Sequence, residues 1–150
     1  MRRKIKLLRI ISSLNPEHGG PSKATIDSSL ILSQSGFKVD ILTSDLKSSG
    51  YFKSNKIKVL NKGPSLGNYG LSLKLFMWLY KNRKKYDTFI VHGLWQFNTF
   101  MARILLKNKY YVIIHGMLDP WFAEDFIKKI KKKIYWSLFE KHNLLSAKTV

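Results

Sequence analysis

The chain has 150 residues, 45% of them hydrophobic, enough for one domain with a real core and with no compositional break to mark a second. It has no cysteine, which excludes disulfides, thiolate metal sites and a cysteine nucleophile. The 27 basic and 9 acidic residues give a formal charge of +18, a field that attracts nucleic acid, anionic lipid or phosphorylated substrates.

Lysine supplies 22 of these cations and arginine only 5, which favours diffuse attraction over the bidentate recognition that arginine provides. Enrichment in lysine, isoleucine and asparagine is equally what an A+T-rich coding sequence produces. The amino end, MRRKIKLLRIISSL, begins like a secretory signal, but Arg9 interrupts the apolar run and no small-residue cleavage site follows. A first strand over residues 6–12 fits better. No apolar run has the length needed to cross a bilayer.

After that strand comes the loop NPEHGGP, in which Gly19 and Gly20 let the backbone approach a ligand and the next helix offers unpaired N–H groups to an anion. The loop carries neither a Walker GK[ST] nor a GxGxxG fingerprint. A helix is expected over residues 21–35, with Ala24, Ile26, Leu30 and Ile31 inward and Gly36 as its stop. The alternating FKVDILT gives a second strand and completes a βαβ unit. Residues 44–55 read as a polar loop, 57–60 as a short strand and 61–70 as turns. A helix over 71–85 places Leu71, Leu75, Trp78 and Leu79 on one side and ends in lysines that suit its dipole.

The next two units share one pattern. Residues 88–91 form a buried strand ending in His92 and Gly93, and a helix over 96–106 follows. Residues 111–114 form what reads as the central strand, ending in His115 and Gly116; Asp119 can cap the next helix and Pro120 suits its first position. Two neighbouring strands thus present His-Gly at the carboxyl rim, where open α/β sheets bind ligands. A single histidine so placed is more often structural, and the repeat is what draws attention to the pair.

A long helix is expected over residues 123–145, with Phe126, Ile130, Ile134 and Leu138 at four-residue spacing. Lys128, Lys129, Lys131, Lys132 and Lys133 form a dense basic segment, with Tyr135, Trp136 and Phe139 close behind. Such a run is by default a solvated face; the sharper reading is a patch on anionic lipid headgroups with aromatics at the interface. At AKTV the pattern of another strand begins, so the whole reads as one half of a larger doubly wound protein.

The ordered set HGGPS, SGFKVDILT, VHGLWQ and IIHGMLDPW resembles the amino-terminal domain of family-four retaining glycosyltransferases. The resemblance implies a Rossmann-like parallel sheet with helices on both faces, the amino-terminal half of a GT-B fold. It implies transfer of a sugar from a nucleotide-sugar to a lipid-linked or polysaccharide-precursor acceptor, with retention and without a metal or other cofactor. It also implies a cytoplasmic protein, peripheral at the inner face of the membrane. By the same resemblance Gly19 and Gly20 lie against the donor diphosphate and the acceptor, and His115 is the cleft histidine near the transferred sugar. His92 and Trp95 contact the acceptor, and Gly116 and Asp119 belong to the substrate site. The family's carboxyl-terminal half, which supplies most of the donor site, has no counterpart in these residues, so the chain alone is expected to be inactive and to need that half in cis or in trans.

The competing class is a non-catalytic basic module for anionic membrane or nucleic acid, against which stand the few arginines and the lack of a known nucleic-acid module. A dehydrogenase lacks its glycine spacing here. His18, His92, His115 and His142 show no metal-ligand spacing.

Overall fold

The computed structural model describes residues 3–117 and 126–150. Five parallel strands form one sheet: β1 (Lys6–Ile11), β2 (Lys38–Thr43), β3 (Lys58–Asn61), β4 (Thr88–His92) and β5 (Tyr110–Ile113). Their spatial order is β3-β2-β1-β4-β5, so the chain builds outward from β1 in one direction and then returns to build in the other. The helices are α1 (Gly20–Gln34), α2 (Leu73–Asn82), α3 (Phe97–Leu106), α4 (Phe126–Tyr135) and α5 (Lys141–Leu145), the last two joined by a π-helical turn, Trp136–Glu140. The α/β class and the Rossmann-like order agree with the sequence reading.

One position differs from it. The strand ending in His115 lies beside β4 at the margin of the five, and β1 is central. An unbroken apolar run shows that a strand is covered on both faces, but it carries no information about lateral order. The outer side of β5 is met by the chain's last residues, where Lys148 N–H donates to Tyr110 O (2.7 Å) and Val112 N–H to Thr149 O (3.0 Å). Thr149 makes a parallel bridge to Tyr111, the start of strand pairing that AKTV suggested.

The two faces of the sheet are filled differently. Leu8, Ile10, Leu42, Phe89, Val91 and Val112 point to one side and pack with Leu75, Leu79, Met101 and Ala102 from α2 and α3. On the other side Ile11, Leu14, Ile41 and Ile57 make a smaller cluster with Ile26 and Leu30 of α1. The buried positions of α1 are hydroxyls, Ser22, Thr25 and Ser29, whereas Ala24 and Ile31, expected inward, are exposed, Ile31 to 62%. The reason is the partner surface, because β1 offers α1 the side chain of Arg9, which is only 3% exposed.

The terminal helix departs in the same way. Ile130, Ile134 and Leu138 face solvent, at 45%, 55% and 58% exposure, and Tyr135, Glu140 and Asn143 turn inward. Tyr135 donates to Tyr69 Oη (2.8 Å) and stacks against Phe139 with centroids 5.2 Å apart. Aromatic bulk on one side and aliphatic residues on the other both satisfy a helical period, and the aromatic side won the interior. Among the described residues no helix is long and apolar enough to cross a membrane.

Candidate functional site

Parallel registry brings the two His-Gly ends together. Ile11 follows the pair Ile10–Val91, and His92 pairs with Ile113, so one row across the carboxyl edge runs from β1 through His92 to the residue two before His115. The order of the strands reverses between β1 and β4, the switch point at which doubly wound sheets form their ligand crevice.

His92 Nδ1 lies 2.8 Å from His115 Nε2, with ring centroids 5.1 Å apart and planes 23° apart. Behind them, Arg9 Nε–H donates to His92 Nε2 at 3.1 Å, and its Nη1 reaches Ser28 Oγ (2.5 Å) and Ser29 Oγ (3.3 Å). Among the described residues no carboxylate forms an ion pair with Arg9. Burial lowers the Arg9 pKa to about 10, which leaves it a cation at neutral pH. Burial first, and then the nearby Arg9 charge and His115, push His92 down to about 2. His115 is lowered as well, by burial and then by Arg9. Both imidazoles are therefore neutral at pH 7.

The pair borders a cleft of about 280 Å³ between the ends of β1, β4 and β5 and the start of α1. Ser12, Ser13, His18, Ser22 and Gln96 supply its other polar walls, and among the described residues no carboxylate lines it. Depressions of about 630 and 570 Å³ open at the opposite, amino-terminal edge of the strands, lined in large part by lysine, arginine and tyrosine side chains and, among the described residues, by no histidine.

The loops that shape the cleft are fixed by local bonds. Asp45 accepts from Ser13 Oγ (2.5 Å) and Leu14 N–H (2.9 Å), which anchors the turn after β1. Gly93 has φ +87°, and a Cβ there would meet Gln96 Oε1 at 3.1 Å and Met117 Cε at 3.4 Å. The left-handed backbone favours glycine, and an added Cβ would also push the Gln96 amide aside. His115 holds a left-handed φ of +50°, a conformation uncommon for a non-glycine residue, and this turn swings its ring back against His92.

Gly19 caps α1 without a side-chain bond and Gly20 is its first residue; both border an adjoining, mostly apolar hollow of about 350 Å³ that shares Ser22 with the cleft. Gly116 follows His115 in the turn. Trp95 stands apart from the cleft walls. Its ring packs against Tyr135 and Trp136 with centroids 6.2 and 5.7 Å away, and Lys132 Nζ lies 5.8 Å over it. Asp119 and the side chains of Lys128 and Lys129 lie outside the described residues. Lys131 and Lys133 are exposed on α4. Among the described residues no three histidine, aspartate or glutamate side chains gather as a metal site.

Arg9 is the site residue that the motif reading passed over. Part of the signal is in the sequence: strand alternation puts Arg9 on the face opposite Leu8 and Ile10, and α1 carries hydroxyls at positions 22, 25 and 29 that can receive it. The sequence matches no protein-family model and no curated protein.

Proposed function

We propose that this chain is the acceptor-side half of a retaining glycosyltransferase, using a nucleotide-sugar as donor and a lipid-linked or polysaccharide-precursor glycan as acceptor. The observation that carries the reading is the contact between His92 and His115 at the switch-point cleft, beside the glycine start of α1. Sugar recognition needs neutral donors and acceptors at fixed positions. The cleft supplies two uncharged imidazoles, three serine hydroxyls and a glutamine amide.

In this reading His115 donates to an oxygen of the transferred sugar or of its leaving group as charge develops there, a contribution that grows in the transition state. The N–H groups at the start of α1, uncapped by any side chain, face the anionic end of the donor. Gly116, next to His115, extends the same rim, and the substrate role of Asp119 rests on the resemblance alone. The departing diphosphate still needs cations and exclusion of water from an opposing lobe, so transfer requires a carboxyl-terminal half in cis or in trans. No metal or other cofactor is assigned a role. The test joins the chain to such a half and assays sugar transfer. Transfer that is lost in His115→Ala and absent from the chain alone supports the proposal; transfer by the isolated chain at the joined enzyme's rate overturns the half-site argument.

The alternative, a non-catalytic basic module on anionic membrane, draws on a separate observation: Ile130, Ile134 and Leu138 are exposed on the helix that also exposes Lys131 and Lys133. An aliphatic stripe edged by lysines suits the surface of an anionic bilayer, and it serves equally an enzyme whose acceptor is lipid-linked. Of the aromatics assigned to that interface by the sequence, Tyr135 and Trp136 are half-buried and Phe139 is 37% exposed, so the contact is mainly aliphatic. Cosedimentation with vesicles containing phosphatidylglycerol, lost in Ile134→Ser with Leu138→Ser, supports peripheral attachment; equal sedimentation of wild type and variant removes this surface. Nucleic acid, the other partner of that class, would show a steep loss of affinity with salt.

A further inference from the structure

We infer that Arg9 is a positioning residue that fixes the proton order of both site histidines, so that His115 is held as a neutral Nδ1–H tautomer and serves as a hydrogen-bond donor of fixed direction. The inference concerns the site of the proposed transferase and rests on that reading only for the use to which the donor is put.

Each step follows from which atoms can donate. Arginine has no acceptor, so Arg9 Nε–H, 3.1 Å from His92 Nε2, requires a lone pair on that nitrogen. A neutral ring with a bare Nε2 carries its hydrogen on Nδ1. That atom lies 2.8 Å from His115 Nε2, which must then accept. The hydrogen of His115 is left on Nδ1, for which no partner is found among the described residues. The surroundings of Arg9 agree in direction. Ser29 Oγ donates its own hydrogen to Thr25 O (2.5 Å) and so receives Arg9 with a lone pair, and Thr25 Oγ1, 3.4 Å from His92 Nδ1, has a lone pair that can accept the same hydrogen.

The same order forbids protonation of either ring. A proton on His92 Nε2 would oppose the Nε–H of Arg9. One on His115 Nε2 would oppose the Nδ1–H of His92 unless that ring changed tautomer against Arg9. The charged and titratable groups facing the pair are Arg9 from β1 and His18 from the turn after it; α1 contributes only hydroxyls, and no described carboxylate lines the cleft. His115 therefore acts as a donor to a ligand oxygen and not as a general base, because its one lone pair is occupied.

Long-range proton–nitrogen NMR on the histidine-labelled chain reads the tautomers directly, without any sugar transfer. The expected result is protonated Nδ1 and bare Nε2 on both rings at pH 7, unchanged at pH 5. In Arg9→Met, whose folding is checked by circular dichroism, the single tautomer is lost and His115 becomes the protonated ring at pH 5. An Nε2–H form of either ring in the wild-type chain overturns the proposal, and this holds even if the variant does not fold. Wild-type tautomers persisting in folded Arg9→Met also overturn it. Because the spectra require no catalysis, failure of the transferase reading leaves this outcome separately visible.

Discussion

The two faces of the sheet divide the labour of the molecule. The face under α2 and α3 is closed with large apolar side chains such as Leu75, Leu79, Phe89 and Met101, all at most 1% exposed. The face under α1 is closed around a buried cation and a row of hydroxyls beside a smaller apolar cluster. Apolar burial contributes about 25 cal/mol per Å², whereas a buried ion must first offset the loss of its hydration. Stability therefore resides mainly on the first face, and the second tolerates a polar network because the first holds the sheet together.

Truncation on the apolar face should produce the largest effect. Leu75→Ala removes a fully buried side chain and is expected to cost about 2–5 kcal/mol, read as a lower urea midpoint with an unchanged slope. Next comes Gly63→Ala, where an added Cβ would lie 2.2 Å from Ser44 O and 2.7 Å from Asp45 O. These are backbone atoms that cannot swing aside, so a loss of about 3 kcal/mol is expected. Asp45 also anchors the loop after β1, so binding at the cleft should weaken along with stability.

The polar face is broken by acid. His92 is neutral when folded, with its pKa lowered to about 2, and takes a proton in the unfolded chain at about 6.5. Below pH 6.5 the unfolded state binds more protons, so stability falls as pH falls, by about 2 kcal/mol at pH 5 from this residue alone. Above pH 6.5 His92 adds no slope. Urea midpoints at pH 7 and pH 5 measure the loss, and His92→Asn should flatten it. A flat wild-type profile would mean that the ring is not held neutral. The smallest effect is expected from Ile31→Ser, because the side chain is 62% exposed: less than about 0.5 kcal/mol by the same assay. A loss of 2 kcal/mol or more there would show α1 rotated to the register its apolar residues suggest.

The same division decides what was legible beforehand. Strands whose residues are apolar on both faces, such as Phe89 to Val91, announced themselves, and so did the His-Gly ends that follow β4 and β5. Local pattern suffices there because burial and strand propensity point the same way. The inward face of α1 did not show, because Ser22, Thr25 and Ser29 are inside only in answer to Arg9, a partner on another element. The stripe Ile130, Ile134 and Leu138 has a correct period, and period alone does not say which side of a helix finds a neighbour. Lateral strand order was likewise hidden, since β1 and β5 have similar runs of residues. Of the proposed site, the histidines and Gly93 were visible as chemistry at strand ends, while the cation that orders them looked only like an interruption.

The bridge between Thr149 and Tyr111 has a consequence for how the domain comes apart. It returns the chain to the outer margin of β5 after the run from α4 to α5, and Tyr110 Oη donates to Asn143 O beneath that run. The final helical segment is thus tied to the same strand at more than one point, and neither can loosen without exposing the other. In native-state hydrogen exchange the amides of Val112 and Lys148 should open together with those of the last turns, as one cooperative unit of lower free energy than the centre of the sheet.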